Sequence, residues 1–222
     1  MQFSVREAGL EGAINADDAD AVRHAIAAGA RVNASGTMGV TPLEYAVGTL
    51  RAHAAAALIS SGADPNAKDD EGDTPVTVAA TAYSRDPSLL KMLLAAGGDP
   101  NTRRPNGDPI ITRFTADHDL DAITYMKSVG ADINAQTRTG LSLLNSAAMT
   151  EDWDVVWCLL QLGAQFSDVS APNNILTAFR TPLVTPQGSL RWESKVKVWR
   201  FLKAQGLNPI PPDGLSPAGE AL

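Results

Sequence analysis

Gly62-Ala63-Asp64-Pro65-Asn66 is a five-residue phrase that the chain repeats at an almost constant interval. Related phrases begin at Gly29, Gly97, Gly130 and Gly163, so successive copies start 33, 35, 33 and 33 residues apart. A period of this length predicts a stack of structural repeats, each packed on its neighbours. Because such a stack presents a broad surface and not a closed pocket, the period favours binding over catalysis.

A second phrase keeps step with the first and marks where helices begin. Its four copies start at Thr41-Pro42, Thr74-Pro75, Pro109-Ile110 and Ser142-Leu143, each two residues after a glycine. Threonine and serine cap helices, and proline is favoured at the first helical position because its missing N–H costs nothing there. Each repeat is therefore predicted to contain a short helix, a loop, a second helix and the glycine-led closing phrase, whose glycine ends the second helix.

The two phrases together resemble the ankyrin repeat, and the resemblance covers Leu10 to Ser167 well and the C-terminal stretch poorly. It implies an all-α ankyrin-repeat solenoid of about five to six helix–turn–helix units, with short hairpin-like turns and a divergent C-terminal cap. We expect one domain over residues 1–210, followed by a disordered tail over 211–222. The expected units are 3–33, 34–66, 67–101, 102–134, 135–167 and a degenerate cap over 168–210.

The second helices are predicted to begin at aspartates that cap their free N–H groups. These aspartates are Asp17 or Asp18, Asp86, Asp119 and Asp152. The third repeat is two residues longer than the second, and we place the extra residues in the loop around Tyr83-Ser84-Arg85. In the cap, helices are predicted near Ile175–Phe179 and Trp192–Ala204.

Composition limits the function. The chain has 18 Lys and Arg against 25 Asp and Glu, a net charge of -7. This balance opposes nonspecific nucleic-acid binding and favours encounter with a basic protein partner. The chain shows no secretory signal and no apolar run long enough for a membrane span, and its single cysteine, Cys158, fits a reducing compartment. We expect a cytoplasmic monomer, although a periplasmic or secreted chain whose signal had been removed would look the same.

No motif for catalysis or cofactor binding is visible, so we expect no enzyme activity, no cofactor and no metal. The three histidines fall in different repeats. The cluster Asp117-His118-Asp119-Leu120-Asp121 has two interpretations, a loop ending in a helix cap at Asp119 or a metal site. Cys158 lies among apolar residues and is interpreted as a buried, inert thiol. An enzyme that uses the C-terminal insertion stays an alternative.

The position of Trp157 usually carries a solvated glutamate in this repeat. Either Trp157 packs against the C-terminal insertion with Trp192 and Trp199, or it is an exposed anchor for a partner.

The resemblance places partners on the turn tips and on the concave face of the first helices. We hypothesise an acidic concave surface over the third and fourth repeats that meets a basic patch. The candidate protein-binding residues are Met38, Val40, Asp70, Glu71, Asp73, Thr81, Asn106, Asp108, Asp117, Arg138, Thr139, Leu141 and Met149.

The sequence thus predicts a non-enzymatic protein–protein interaction module. One specific version is a bacterial, toxin-neutralising (immunity-type) inhibitor. The alternative is a regulatory scaffold or a secreted ankyrin effector that acts on a host protein.

Overall fold

A computed structural model describes residues 4, 7–166, 174–179 and 188–215. It divides into two compact units, Met1–Ile110 and Ile111–Leu222, which we call the N-terminal and C-terminal halves. The expectation of a single domain over 1–210 stays a prediction, and each half is described separately below.

The N-terminal half contains three pairs of helices. Their bounds are α1 Ala8–Asn15, α2 Ala19–Ala27, α3 Pro42–Gly48, α4 Ala52–Ser60, α5 Pro75–Ala82 and α6 Pro87–Ala95. The first helix of each pair packs on its partner, α3 packs on α1 and α5, and α4 packs on α2 and α6. The result is one layer of first helices and one of second helices, with alanines such as Ala46, Ala55 and Ala79 fully buried between them.

The C-terminal half repeats this plan and then departs from it. Its helices are α7 Ile111–Ala116, α8 Leu120–Ser128, α9 Leu143–Met149, α10 Trp153–Gln161, α11 Ile175–Ala178 and α12 Leu190–Ala204. The 15-residue helix α12 is the longest of the described helices and packs on α10. The described residues contain no strand, only isolated bridges at two turns. The prediction of an all-α ankyrin-type stack is confirmed.

Capping explains where most of the helices begin. Thr41 Oγ1 accepts a hydrogen bond from the Glu44 N–H at 3.2 Å, and Thr74 and Thr77 cap each other's backbone N–H groups. Asp18, Asp86 and Asp119 cap α2, α6 and α8 as predicted. Asp152 occupies the cap position of α10, but its side chain makes no cap bond and lies 3.0 Å from His118 instead.

The asparagines of three closing phrases connect one repeat to the next. Asn33 Oδ1 accepts from the Asp64 N–H at 2.9 Å, and Asn66 Oδ1 accepts from the Asp99 N–H at 2.8 Å. In the C-terminal half, Asn134 Oδ1 accepts from the Gln165 N–H at 2.8 Å. The repeated phrase therefore serves both to end a helix and to hydrogen-bond the following repeat.

The loops between paired helices provide a second connection. Asp17, Leu50, His118 and Glu151 all have a positive φ, between 54° and 58°, at the equivalent place in their repeats. This left-handed conformation is uncommon for residues other than glycine. The side chain of Asp17 reaches the start of α4, where it accepts from the Ala54 N–H at 2.9 Å and lies 2.8 Å from His53 Nδ1.

The C-terminal helix α12 covers the end of the C-terminal half with aromatic contacts. Phe201 lies edge-on to Trp157 at 6.2 Å and to Phe166 at 6.0 Å between ring centroids. The expectation that Trp157 packs against the C-terminal insertion is confirmed, with Phe201 as its ring partner in place of Trp192 and Trp199. Trp199 and Trp192 instead donate from Nε1 to the backbone carbonyls of Pro209 and Asp213.

The stretch after α12 differs from the expected tail. Residues 211–215 fold back on the helix, where Leu215 is 6% exposed and Asp213 O accepts from Trp192. The rest of the predicted tail, 216–222, lies outside the described residues, as do Ser167 and residues 181–187 of the expected cap.

Candidate protein-binding surface

The turns that carry the candidate residues are tight hairpins closed by backbone hydrogen bonds. In the turn 69–73, the Asp69 N–H donates to Asp73 O at 2.9 Å and the Gly72 N–H donates to Asp69 O at 3.2 Å. The turns at 36–40, 104–108 and 137–141 are closed by the same pair of bonds. The expectation of short hairpin-like turns is confirmed, and each turn presents its tip residues away from the helices.

The first two turns of the N-terminal half touch each other. The Asp70 N–H donates to Met38 O at 3.0 Å. Gly39 has a φ of 77°, and a Cβ built on it would lie 2.8 Å from Asp70 N, so only glycine fits between the turns. This contact brings Met38, which is 54% exposed, next to the acidic turn.

The candidate residues differ in exposure. The exposed ones are Met38, Asp70, Glu71, Thr81, Asn106, Asp117, Arg138, Thr139 and Met149, and the half-buried ones are Val40, Asp73, Asp108 and Leu141. Within the N-terminal half, the structure brings together Met38, Asp70, Asp73 and Thr81 along adjacent turns and first helices. The candidates of the C-terminal half lie on the turn 137–141 and at the ends of α7 and α9.

A groove lies beside the acidic turn of the N-terminal half. It has a volume of about 280 Å³ and is lined by Gly48, Asp73, Val78, Thr81, Ala82 and Arg85. The sequence predicted Asp73 and Thr81 but missed Arg85 as a surface residue of this groove. The signal that could have found it is the two-residue insertion around Tyr83-Ser84-Arg85, which lengthens the loop between α5 and α6.

Arginines offset part of the expected acidic surface. Arg104 Nη2 lies 3.6 Å from Asp108 Oδ2, and Arg113 Nε lies 3.0 Å from Asp117 Oδ2. Within the described part of the chain, no ion pair includes Asp70 or Glu71. Asp70 and Glu71 therefore place a negative charge on the turn 69–73 that no described ion pair balances.

The charged side chains around His118 form ion pairs that hold the fold together. His118 lies 3.0 Å from Asp152 and 3.8 Å from Asp154, and Arg191 reaches Asp152 at 3.4 Å, so this cluster joins successive elements of the C-terminal half. Over the residues that the structure describes, no group of three or more His, Cys, Asp and Glu side chains is arranged to hold a metal ion.

Cys158 is half-buried, not buried as the sequence predicted. Partial burial raises the pKa of the thiol, and the Thr124 hydroxyl lies 4.0 Å from the sulfur. A raised pKa disfavours the reactive thiolate.

Comparison with known proteins agrees with this geometry. The family model described as "Ankyrin repeat" matches residues 38–70, which include α3, α4 and the first part of the acidic turn. The chain contains an ankyrin repeat at residues 38–70 and has the ankyrin-repeat fold.

A solved structure similar to this chain is the ankyrin repeat domain of Bcl-3, described as a unique member of the IkappaB protein family. The sequence identity is 26%, the match covers 71% of each chain, and the TM-score is 0.64. No curated protein matches the chain. Ankyrin repeats mediate protein–protein interactions, and their fold is a non-enzymatic interaction scaffold. Of the described helices, none is both long enough and apolar enough to cross a bilayer.

Proposed function

We propose that this chain binds a protein partner with a basic patch through its turn tips and the face of its first helices. The observation that carries the proposal is the turn 69–73, where Asp70 and Glu71 are exposed and have no described ion-pair partner. Met38 and the groove beside Asp73 and Thr81 supply apolar and polar contact area next to this charge. Interfaces commonly combine such an anchor with a charged rim.

The net charge of -7 supports a basic partner, since complementary charges raise the association rate. The specific version that we favour is an inhibitor that masks a bacterial toxin, an immunity-type protein. A stable stack with a preformed binding face suits inhibition because little ordering is needed on binding. A regulatory scaffold or a secreted effector with a foreign target would use the same surface with a different partner.

The first experiment is a tagged pull-down from native lysate at low and moderate salt, analysed by mass spectrometry. We expect one stoichiometric basic protein, toxic when expressed alone. Several weakly bound proteins would favour the scaffold. An acidic partner, or a partner whose binding does not weaken with salt, would contradict the basic-patch proposal.

A charge reversal then tests the surface. The double variant Asp70→Lys/Glu71→Lys should weaken binding at least tenfold, mostly through a slower association rate. The matched control is Asp20→Lys/Asp121→Lys, which changes the net charge equally but lies on exposed positions of the second helices α2 and α8. Equal affinities of the two variants would exclude the acidic turn as the binding surface.

A further inference from the structure

Glu44 is a carboxyl group buried in the N-terminal half. It lies in the first turn of α3, and its side chain is 5% exposed although glutamate is rarely buried without a partner. Among the described residues, its Oε2 atom has no hydrogen-bond partner. No cation is among the described groups that act on this buried carboxyl, so a negative charge on it would not be balanced.

The groups that face Glu44 are acids of the following turn. The Asp69 carboxyl lies within hydrogen-bonding reach of the Glu44 side chain, and Asp73 adds a second negative charge. Helix α3 packs on α1, α4 and α5, and α5 contributes the Thr77 hydroxyl, which donates to Asp73 at 2.7 Å. No charged side chain from the described parts of α1 or α4 acts on Glu44. A hydrogen bond between two carboxyl groups requires a proton on one of them.

Asp69 is held by the backbone of its own turn. Its Oδ1 accepts from the Glu71 N–H at 2.9 Å and from the Asp73 N–H at 2.8 Å. These bonds shape the turn that carries Asp70 and Glu71. Because burial favours the neutral form of the Glu44 carboxyl, a protonated Glu44 can donate to Asp69 and fix its position.

We propose that the proton on Glu44 is a switch that holds the acidic turn 69–73 in its hairpin conformation. When Glu44 ionises, two adjacent carboxylates repel each other across the contact between α3 and the turn, and the turn opens more often. The consequence for binding rests on the proposed function, because the same turn carries the proposed contacts to a basic partner. The switch itself is a property of the isolated chain.

The effect falls at physiological pH. Burial, followed by the charge of Asp69, raises the pKa of Glu44 from 4.5 to about 7. If Glu44 has an ordinary pKa once the turn is open, the opening equilibrium should rise about tenfold between pH 6 and pH 8.

Hydrogen exchange of the Glu71 and Asp73 amides, measured by NMR and corrected for the intrinsic rate, tests the switch. In the natural chain, protection should fall about tenfold from pH 6 to pH 8. In Glu44→Gln, which keeps a donor for Asp69, protection should be independent of pH. The matched control is Glu71→Gln, which removes an exposed carboxyl of the same turn and should keep the pH dependence.

Two results would overturn the proposal: pH-independent protection in the natural chain, or the same pH dependence in Glu44→Gln. If that variant does not fold, the carboxyl-carbon titration of Glu44 in the natural chain decides, with a midpoint near 7 expected and one below 5 contradicting the proposal. No partner is used in either measurement. Failure of the switch therefore leaves the proposed function untouched, and failure of the pull-down leaves the switch untouched.

Discussion

Asn66 hydrogen-bonds Asp99 and Gly97 across the boundary between two repeats of the N-terminal half. Its Oδ1 accepts from the Asp99 N–H at 2.8 Å, and its Nδ2 donates to Gly97 O at 3.0 Å. Both bonds satisfy backbone groups just after the last turn of α6, so the stacking of repeats is specified by polar bonds as well as by apolar burial.

We therefore predict that Asn66→Ala lowers the free energy of unfolding by about 1–2 kcal/mol, the loss expected for two partly exposed hydrogen bonds. Urea denaturation followed by circular dichroism measures the change. The control is Asn208→Ala, at an exposed asparagine that follows α12. If the two substitutions cost the same, the asparagine bridge adds no stability to the stack.

Asp17 is predicted to stabilise the repeat that follows its own. Burial acts to raise its pKa, but the hydrogen bonds from Ala54 and His53 outweigh it and hold the pKa below its ordinary value. The cap residue of α4, Arg51, makes no side-chain cap bond, so Asp17 supplies the acceptor from a distance of 37 residues.

Asp17→Ala should cost about 1 kcal/mol, as the loss of a helix cap does, and should destabilise α4 first. Hydrogen exchange at Ala54 and Ala55 would locate the effect. Asp20→Ala, which removes only an exposed ion pair with Arg23, should leave the free energy of unfolding nearly unchanged. Because the pKa of Asp17 is lowered on folding, its contribution should be lost at acidic pH, as the pH falls through the folded pKa.

The buried Glu44 should make global stability depend on pH in the opposite direction. Its folded pKa of about 7 lies above its ordinary value of 4.5, so folding favours the protonated form. The stabilisation is complete below the unfolded pKa and is lost as the pH rises through the folded pKa.

We expect the free energy of unfolding to fall by about 2–3 kcal/mol from pH 5 to pH 8, which corresponds to the size of this pKa difference. Denaturation curves at several pH values measure it. Glu44→Gln should flatten the profile in this range, and an unchanged slope would mean that another group dominates.

Lys195 and Glu151 form a buried ion pair in the C-terminal half. Their charged atoms are 3.8 Å apart and both side chains are 8% exposed, while the Lys195 ammonium lies 5.1 Å from the centre of a Trp153 ring. Lys195→Met should destabilise by about 3 kcal/mol, because it leaves a buried carboxylate without this cation.

The double variant Lys195→Met/Glu151→Gln should recover part of that loss, since it removes the second charge as well. A double-mutant cycle from denaturation curves provides the coupling energy. Additive losses in the cycle would show that the two charges do not interact.

The sequence predicted those parts of the fold that depend on neighbours along the chain. The closing glycines, the Thr-Pro starts and the caps at Asp86 and Asp119 are local signals, and they placed the helices to within a few residues. The aromatic partner of Trp157 and the contacts of Asp152 were missed because they depend on residues from α12 or from a preceding repeat.

The positions of the candidate binding residues could be predicted from the sequence, but the charge balance around them could not. Turn tips can be located from the repeat period, and the candidates on them stay predictions until a partner is tested. Which acids keep their charge unbalanced depends on arginines such as Arg104 and Arg113, whose side-chain directions are set by folding. The burial of Glu44 against Asp69 was not visible either, because the phrase Thr-Pro-Leu-Glu does not reveal what the next repeat places opposite its last residue.

The longer third repeat has a practical consequence for protein engineering. Asn33 bonds a residue 31 positions ahead, whereas Asn66 bonds one 33 positions ahead, and both bonds have the same length to within 0.1 Å. The two extra residues are absorbed before α6 begins, one at the end of α5 and one in the loop between α5 and α6. This loop is therefore the natural place to graft a foreign peptide or a fluorescent label for display, because adding length there leaves the spacing between neighbouring layers unchanged.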